Sequence, residues 1–259
     1  MKQWLVLFQK EMVECARNYK WIWIPLVFAV LGVIQPVMMY FLPDILEMSG
    51  SLPEGTIIQF PEPTAGQVMA DTLGDFLTLG LLVLVLAFMG TIAAERAGGV
   101  AGMVLVKRVS FTSYVTAKWA AAALMTVAAS VTGMLSAWYY TGQLIGPVPG
   151  AALAAGTFLM IVGLLLPVTL TVALSAALRS TGTIAFVTLL LTAVFSVVTS
   201  QFGSKMTWSP GKLGDYAAAA FTQGGWPDGI WPAVACSFIC IAALLIAAVV
   251  IFRRKELVG

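Results

Sequence analysis

Histidine is absent from this 259-residue chain, and charge is scarce: 14 Lys and Arg and 12 Asp and Glu amount to 10% of the residues. Without imidazole there is no histidine general base, no histidine metal ligand and no Ser-His or Cys-His hydrolase. A soluble domain carries about 25% charged residues, so this chain cannot clothe itself for water. The net charge of +2 offers nothing for a polyanion such as nucleic acid to bind. The three cysteines, Cys15, Cys236 and Cys240, are an odd number without a C-x-x-C. They read as small apolar residues rather than as a redox or metal site. Neither G-x-x-x-x-G-K-[ST] nor G-x-G-x-x-G occurs. Gly211-Lys212 runs into Leu213 without a glycine framework, so no nucleotide site is expected in this chain.

What the chain has in abundance is apolar length: 60% of its residues are hydrophobic and the mean hydropathy is +0.95. A helix crosses the hydrocarbon core with about 20 mainly apolar residues. Six runs qualify, at roughly 21–42, 76–94, 119–140, 152–178, 182–202 and 231–252. The expected fold class is therefore all-α: a polytopic membrane protein with six transmembrane helices. Residues 1–20 mix both signs of charge ahead of the first run, unlike a cleavable signal peptide. With the N-terminus inside, the inner segments hold all the basic residues except Lys205 and Lys212. The positive-inside rule then places both termini in the cytoplasm.

Local patterns refine this frame. Residues 1–20 read as an amphipathic interfacial helix, with Trp4, Leu5, Phe8, Met12, Cys15 and Ala16 near one face and Gln3, Gln9, Lys10, Glu14 and Arg17 on the other; the rest, 21–259, forms the six-helix domain. Thr64 is placed to cap a second helix running uninterrupted to Ala94, about 46 Å at about 1.5 Å per residue. Its outer end then protrudes or tilts. There Asp71 and Asp75, four apart on one face, form a possible outer acidic pair for a cation. Ala129, Gly133 and Ala137 make a small-residue ridge that permits close helix approach. Pro167 removes a backbone donor in the fourth run, and Thr169 and Thr171 stand near to satisfy the freed carbonyl. Residues 203–230 carry Trp208, Tyr216, Trp226 and Trp231 as interface anchors around a helix opened by Ser209-Pro210. They read as an outer re-entrant segment.

The functional signal lies between the second and third runs, at 95–118. Glu95-Arg96 opens this stretch, Lys107, Arg108 and Lys118 follow, and Ser110 is placed to cap the third helix. Between them Met103–Val106 are apolar and need a partner surface or the membrane interface to cover them. The pattern resembles the type-2 ABC transporter permeases, the integral membrane subunits of bacterial exporters. The resemblance rests on Glu95, Arg96, Gly99, Met103, Leu105, Val109, Ser110 and Lys118, and on the turn Ala173–Ser180. Ser209-Pro210 through Tyr216 and the N-terminal helix are also similar to the family's re-entrant segment and elbow helix. A Glu frequent in the family near Gly102 and a Pro where Arg108 stands are missing here.

The resemblance implies a permease subunit in a bacterial cell membrane, without an active site or cofactor of its own. Its partners would be a cytoplasmic ABC ATPase dimer, which binds ATP and Mg, and a second permease subunit, the same or a sister. Glu95–Ser110 would be the coupling segment that docks on the ATPase. The rival readings are an intramembrane enzyme, which the missing histidine disfavours, and a nucleotide-independent carrier, immunity or sensor protein.

Overall fold

A bilayer offers no water to peptide groups, so apolar runs must close their hydrogen bonds within helices. The computed structural model describes residues 2–48, 63–99, 110–202 and 206–258. Among the described residues every regular element is helical. Six helical stretches are long and apolar enough to cross a membrane: Lys20–Pro43, Ala65–Ala97, Phe111–Leu144, Gly150–Ala177, Thr181–Gln201 and Trp231–Lys255. Each coincides with one of the six apolar runs.

The elements are α1 (Lys2–Arg17), α2 (Lys20–Met48), then α3 (Ala65–Asp75), a π-helical turn (Phe76–Gly80), α4 (Leu81–Phe88) and α5 (Ala93–Ala97), which together make the second span. They continue as α6 (Phe111–Leu144), α7 (Gly150–Ala177), α8 (Thr181–Gln201), a 3-10 turn (Pro210–Lys212), α9 (Leu213–Gln223) and α10 (Trp231–Val258). The second, third and fourth spans are 44–56% buried over their apolar windows, and the first, fifth and sixth only 17–22%. The inner trio is the core of the bundle. The outer three present Ile22, Leu26, Phe186, Leu190, Ile239 and Ile246 outward.

The small-residue ridge does pack. Ala129, Gly133 and Ala137 are buried on α6, against α2. A Cβ on Gly32 would collide with the carbonyl oxygen of Gly133, and one on Gly133 would lie 2.7 Å from Phe76 Cζ and 2.9 Å from the carbonyl oxygen of Phe28. Phe28 and Phe76 stack at 5.4 Å beside this crossing. Gly80 leaves room for the Phe28 ring, whose Cζ would stand 2.9 Å from an added Cβ.

The second span is not the continuous helix expected from its sequence. Thr64 caps it as expected, in a capping box with Gln67. At Phe76–Gly80, however, the Leu81 amide reaches back five residues to the Phe76 carbonyl, so one extra residue is accommodated. The helix then breaks after Phe88. The Thr91 amide turns to the Phe88 carbonyl at 3.0 Å, and the Lys20 ammonium takes up the Ala87 carbonyl at 2.7 Å.

Two further expectations need adjustment. α1 is a helix separate from α2, set off by a tight corner at Tyr19, whose φ is +54°. Its inward face is turned from the expected one: Glu11 and Cys15 are buried, whereas Leu5 is 51% exposed and Ala16 is exposed too. In α7, Thr171 donates to the Pro167 carbonyl at 2.8 Å and Thr169 to the Leu165 carbonyl at 2.6 Å. Neither serves the Gly163 carbonyl, the one that Pro167 leaves without its amide.

The segment before the last span does hold a short helix. The Ser209 hydroxyl accepts from the Gly211 amide, Pro210 opens the 3-10 turn, and Gly224 ends α9 in the left-handed region at φ +79°. α9 packs on α3 and α7 through Leu213, Ala217, Ala220 and Phe221. Trp208, Trp226 and Trp231 are exposed, and Tyr216 donates to the Thr207 carbonyl at 3.2 Å.

Candidate functional site

The broken end of the second span is where polar chemistry concentrates. When a helix restarts, its first amides have no carbonyl behind them. Here the amides of Ile92 and Ala93 both donate to the hydroxyl of Ser175 on α7, each at 3.0 Å and buried. Ser175 thus caps α5 from a different helix. One turn on, Arg96 donates to the Ala176 carbonyl at 3.1 Å and lies over the Phe252 ring of α10 at 5.9 Å. Phe252 also stacks on Tyr114 of α6 at 5.2 Å, and Lys255 donates to the Ala177 carbonyl. Gly99, at φ +72°, follows the Gly98 cap and ends α5 in a conformation that disfavours any side chain.

Glu95 faces the other way, into a cluster of charges. Its carboxylate lies 3.0 Å from the ammonium of Lys118, and it accepts from Lys10 and from the Tyr114 hydroxyl. Lys118 in turn sits 2.8 Å from Glu11 of α1. Lys10 reaches Glu11 at 3.2 Å and Glu14 at 3.3 Å. The side chains of Lys118, Glu11 and Glu95 are 2%, 9% and 12% exposed, so this is a buried network in which each charge has a partner, as burial requires. Burial alone would lower the Lys10 pKa; the hydrogen bond to Glu95 and the charges of Glu11 and Glu95 outweigh it, and the value rises above the ordinary lysine range. Burial pushes the Cys15 thiol up, away from reactivity.

Carboxylate oxygens of Glu11, Glu14 and Glu95 lie within 4.8 Å of one another. Two ammoniums stand among them, so the arrangement is an ion network and not a metal centre. A cavity of about 230 Å³ opens beside it, lined by Glu11, Cys15, Lys20, Ala87 and Lys118 among others.

Of the residues singled out in the sequence, Glu95, Arg96 and Lys118 converge here, joined by Tyr114. Ser110 caps α6 by accepting from the Ser113 amide at 3.1 Å. Met103, Leu105 and Val109 lie outside the described residues. Asp71 and Asp75 sit on α3, Asp71 exposed and Asp75 half-buried. Among the described residues no third His, Cys, Asp or Glu joins them. Sequence reasoning put Lys10 on the polar face of the first helix and Ser175 in the Ala173–Ser180 turn without bringing either to this site, and it missed Glu11 and Phe252. One signal was available: positions 4, 8, 11 and 15 form a helical stripe on which Glu11 is the lone charge.

The arrangement is one of charge contacts and helix caps. What it does is tie both ends of segment 98–109 to the bundle: Glu95 and Arg96 at its start, Ser110, Tyr114 and Lys118 at its finish. No model of a known protein family matches the chain. It is 31% identical over 256 residues to the uncharacterized transmembrane protein YxlG of Bacillus subtilis (strain 168), covering 99% of both chains. An alignment of that identity over the full length of each partner is not a shared fragment, and the chain belongs to the same family of transmembrane proteins as YxlG.

Proposed function

We propose that this protein is the membrane-spanning permease subunit of an ATP-driven exporter of the type-2 ABC class, with both termini in the cytoplasm and α1 as its elbow helix on the inner leaflet. A second permease copy or a sister subunit completes the translocation path, and a separate cytoplasmic ATPase dimer supplies the energy. The observation that carries this reading is the anchorage of Glu95 and Arg96. A segment that only joins two spans needs no fixed ends. Here the segment's start is held by Ser175, the Ala176 carbonyl and Phe252, and its finish by the Tyr114–Glu95 and Lys118–Glu95 contacts. A load applied to 98–109 therefore passes directly into the third, fourth and sixth spans. Coupling requires that the driving ligand contact the two states of the machine with different free energy; a firmly tethered segment allows such a difference to be felt within the membrane.

The test is affinity purification of the tagged full chain from its native membrane. An ABC ATPase recovered with it, lost on substituting Arg96 and Met103 together by Ala while membrane insertion persists, is the expected result. Recovery of no nucleotide hydrolase would favour the nucleotide-independent reading and end this one.

A further inference from the structure

An elbow helix that merely floats on a membrane surface turns its apolar side to lipid and its charges to water. α1 does not divide in that way. Its outward side already carries apolar residues, Leu5, Val6 and Val13, all more than half exposed. Its inward side carries a buried acid, Glu11, aimed at Lys118. On the same side Trp4 donates its indole N–H to Thr116 at 3.2 Å.

Lys118 is the hub. Its single ammonium lies 2.8 Å from Glu11 on α1 and 3.0 Å from Glu95 on α5, while its own backbone belongs to α6. Three helices meet at one buried nitrogen. Close packing does not explain why they meet there, because the cavity of about 230 Å³ adjoins this junction on the side of Cys15 and Ala87. Where packing leaves space, the directional charge contacts must set the position.

We infer that Lys118 is a positioning residue which locks α1 to α5 and α6, so that the elbow helix and the two anchors of segment 98–109 move as one body. This deepens the permease reading, on which it rests only for what that body transmits; the lock itself is a property of this chain alone.

Distances measured on the full chain in lipid nanodiscs test it. Spin labels at Gln9→Cys and Thr112→Cys, both exposed positions, report α1 against α6, in a background with Cys15, Cys236 and Cys240 replaced by Ala. Labels at Thr112→Cys and Arg179→Cys serve as the control pair. The parent should give one narrow Gln9–Thr112 distance. Glu11→Gln and Lys118→Met should each add a second, longer population, with the control distance unchanged. Lys118→Arg, which keeps a cation within reach of both Glu11 and Glu95, should retain the single population. Glu11→Gln leaves the Lys118–Glu95 pair intact and decides the matter where Lys118→Met fails to fold. An α1 distance identical to the parent in Glu11→Gln, or a control distance that moves together with it, overturns the inference. Because no ATPase is present, this outcome is independent of the co-purification experiment above.

Discussion

Ser175 is the sharpest place to test how the second span is held. Replacing it by Ala removes one hydroxyl and leaves the amides of Ile92 and Ala93 without the acceptor that each reaches at 3.0 Å. Ser175 is fully buried, so water cannot simply take its place. Two estimates bracket the cost. Interhelical hydrogen bonds in membrane proteins average about 0.6 kcal/mol, because the unfolded chain in the membrane finds other partners; two such bonds give about 1.2 kcal/mol. Leaving a buried donor unsatisfied costs about 1–3 kcal/mol for each group. The broken helix can relax a little and the two amides are neighbours, so the expected loss is about 2 kcal/mol. The assay is reversible unfolding of the chain in mixed micelles, paired with amide hydrogen exchange at Ile92 and Ala93. At that cost these two amides should exchange about 30-fold faster if they open with the site. A loss below about 0.5 kcal/mol with unchanged exchange at both positions would refute the capping role and would mean that the contacts of Glu95 and Arg96 suffice to hold α5.

Gly32→Ala places a methyl against the Gly133 carbonyl and should cost about 1–3 kcal/mol by overpacking, read as a lowered unfolding midpoint; Gly182→Ala, where nothing lies within 4 Å, is the neutral control. Gly156→Ala puts a Cβ into the Phe221 ring and should loosen α9, seen as faster proteolysis near Gln223 with the spans intact. Cys15 should resist maleimide at neutral pH in the folded chain and react only on unfolding, since burial raises its pKa and the thiolate is the nucleophile. Lys10 has a folded-state pKa raised above its unfolded value, so its contribution is complete below the ordinary lysine pKa of about 10.4 and fades only as pH climbs through the folded value. The attachment of α1 should accordingly be insensitive to pH between 6 and 9, and a loss of the Gln9–Thr112 distance within that window would contradict the assignment.

Much of the frame was legible because bilayer physics is severe. The six spans follow from apolar length alone. The caps at Thr64 and Ser110 follow from a hydroxyl at a helix start, and the Gly133 crossing from spacing four. The interruptions of the second span were not legible. Hydropathy records that Phe76–Gly80 is apolar, not that its amides reach back five residues, and nothing near Phe88 signals a break whose amides are satisfied by a serine more than eighty residues away. The charge network was half legible. Glu95, Arg96 and Lys118 stood out beside an apolar stretch, but Glu11 was passed over because a charge on a surface helix is ordinarily turned to water. Its inward direction depends on Lys118, which is distant in sequence.

The π-helical turn at Phe76–Gly80 keeps the phase of a shaft. Phe76 and Gly80 within it meet Gly133 and Phe28; beyond it the span runs to Lys118 and Ser175. Each residue in a regular helix advances the side-chain direction by about 100°, and the wide turn takes up one such step in its extra residue. Deleting one residue there should therefore restore an ordinary turn and cost the fit against Phe28 and Gly133, while Leu81–Phe88 keeps its facing.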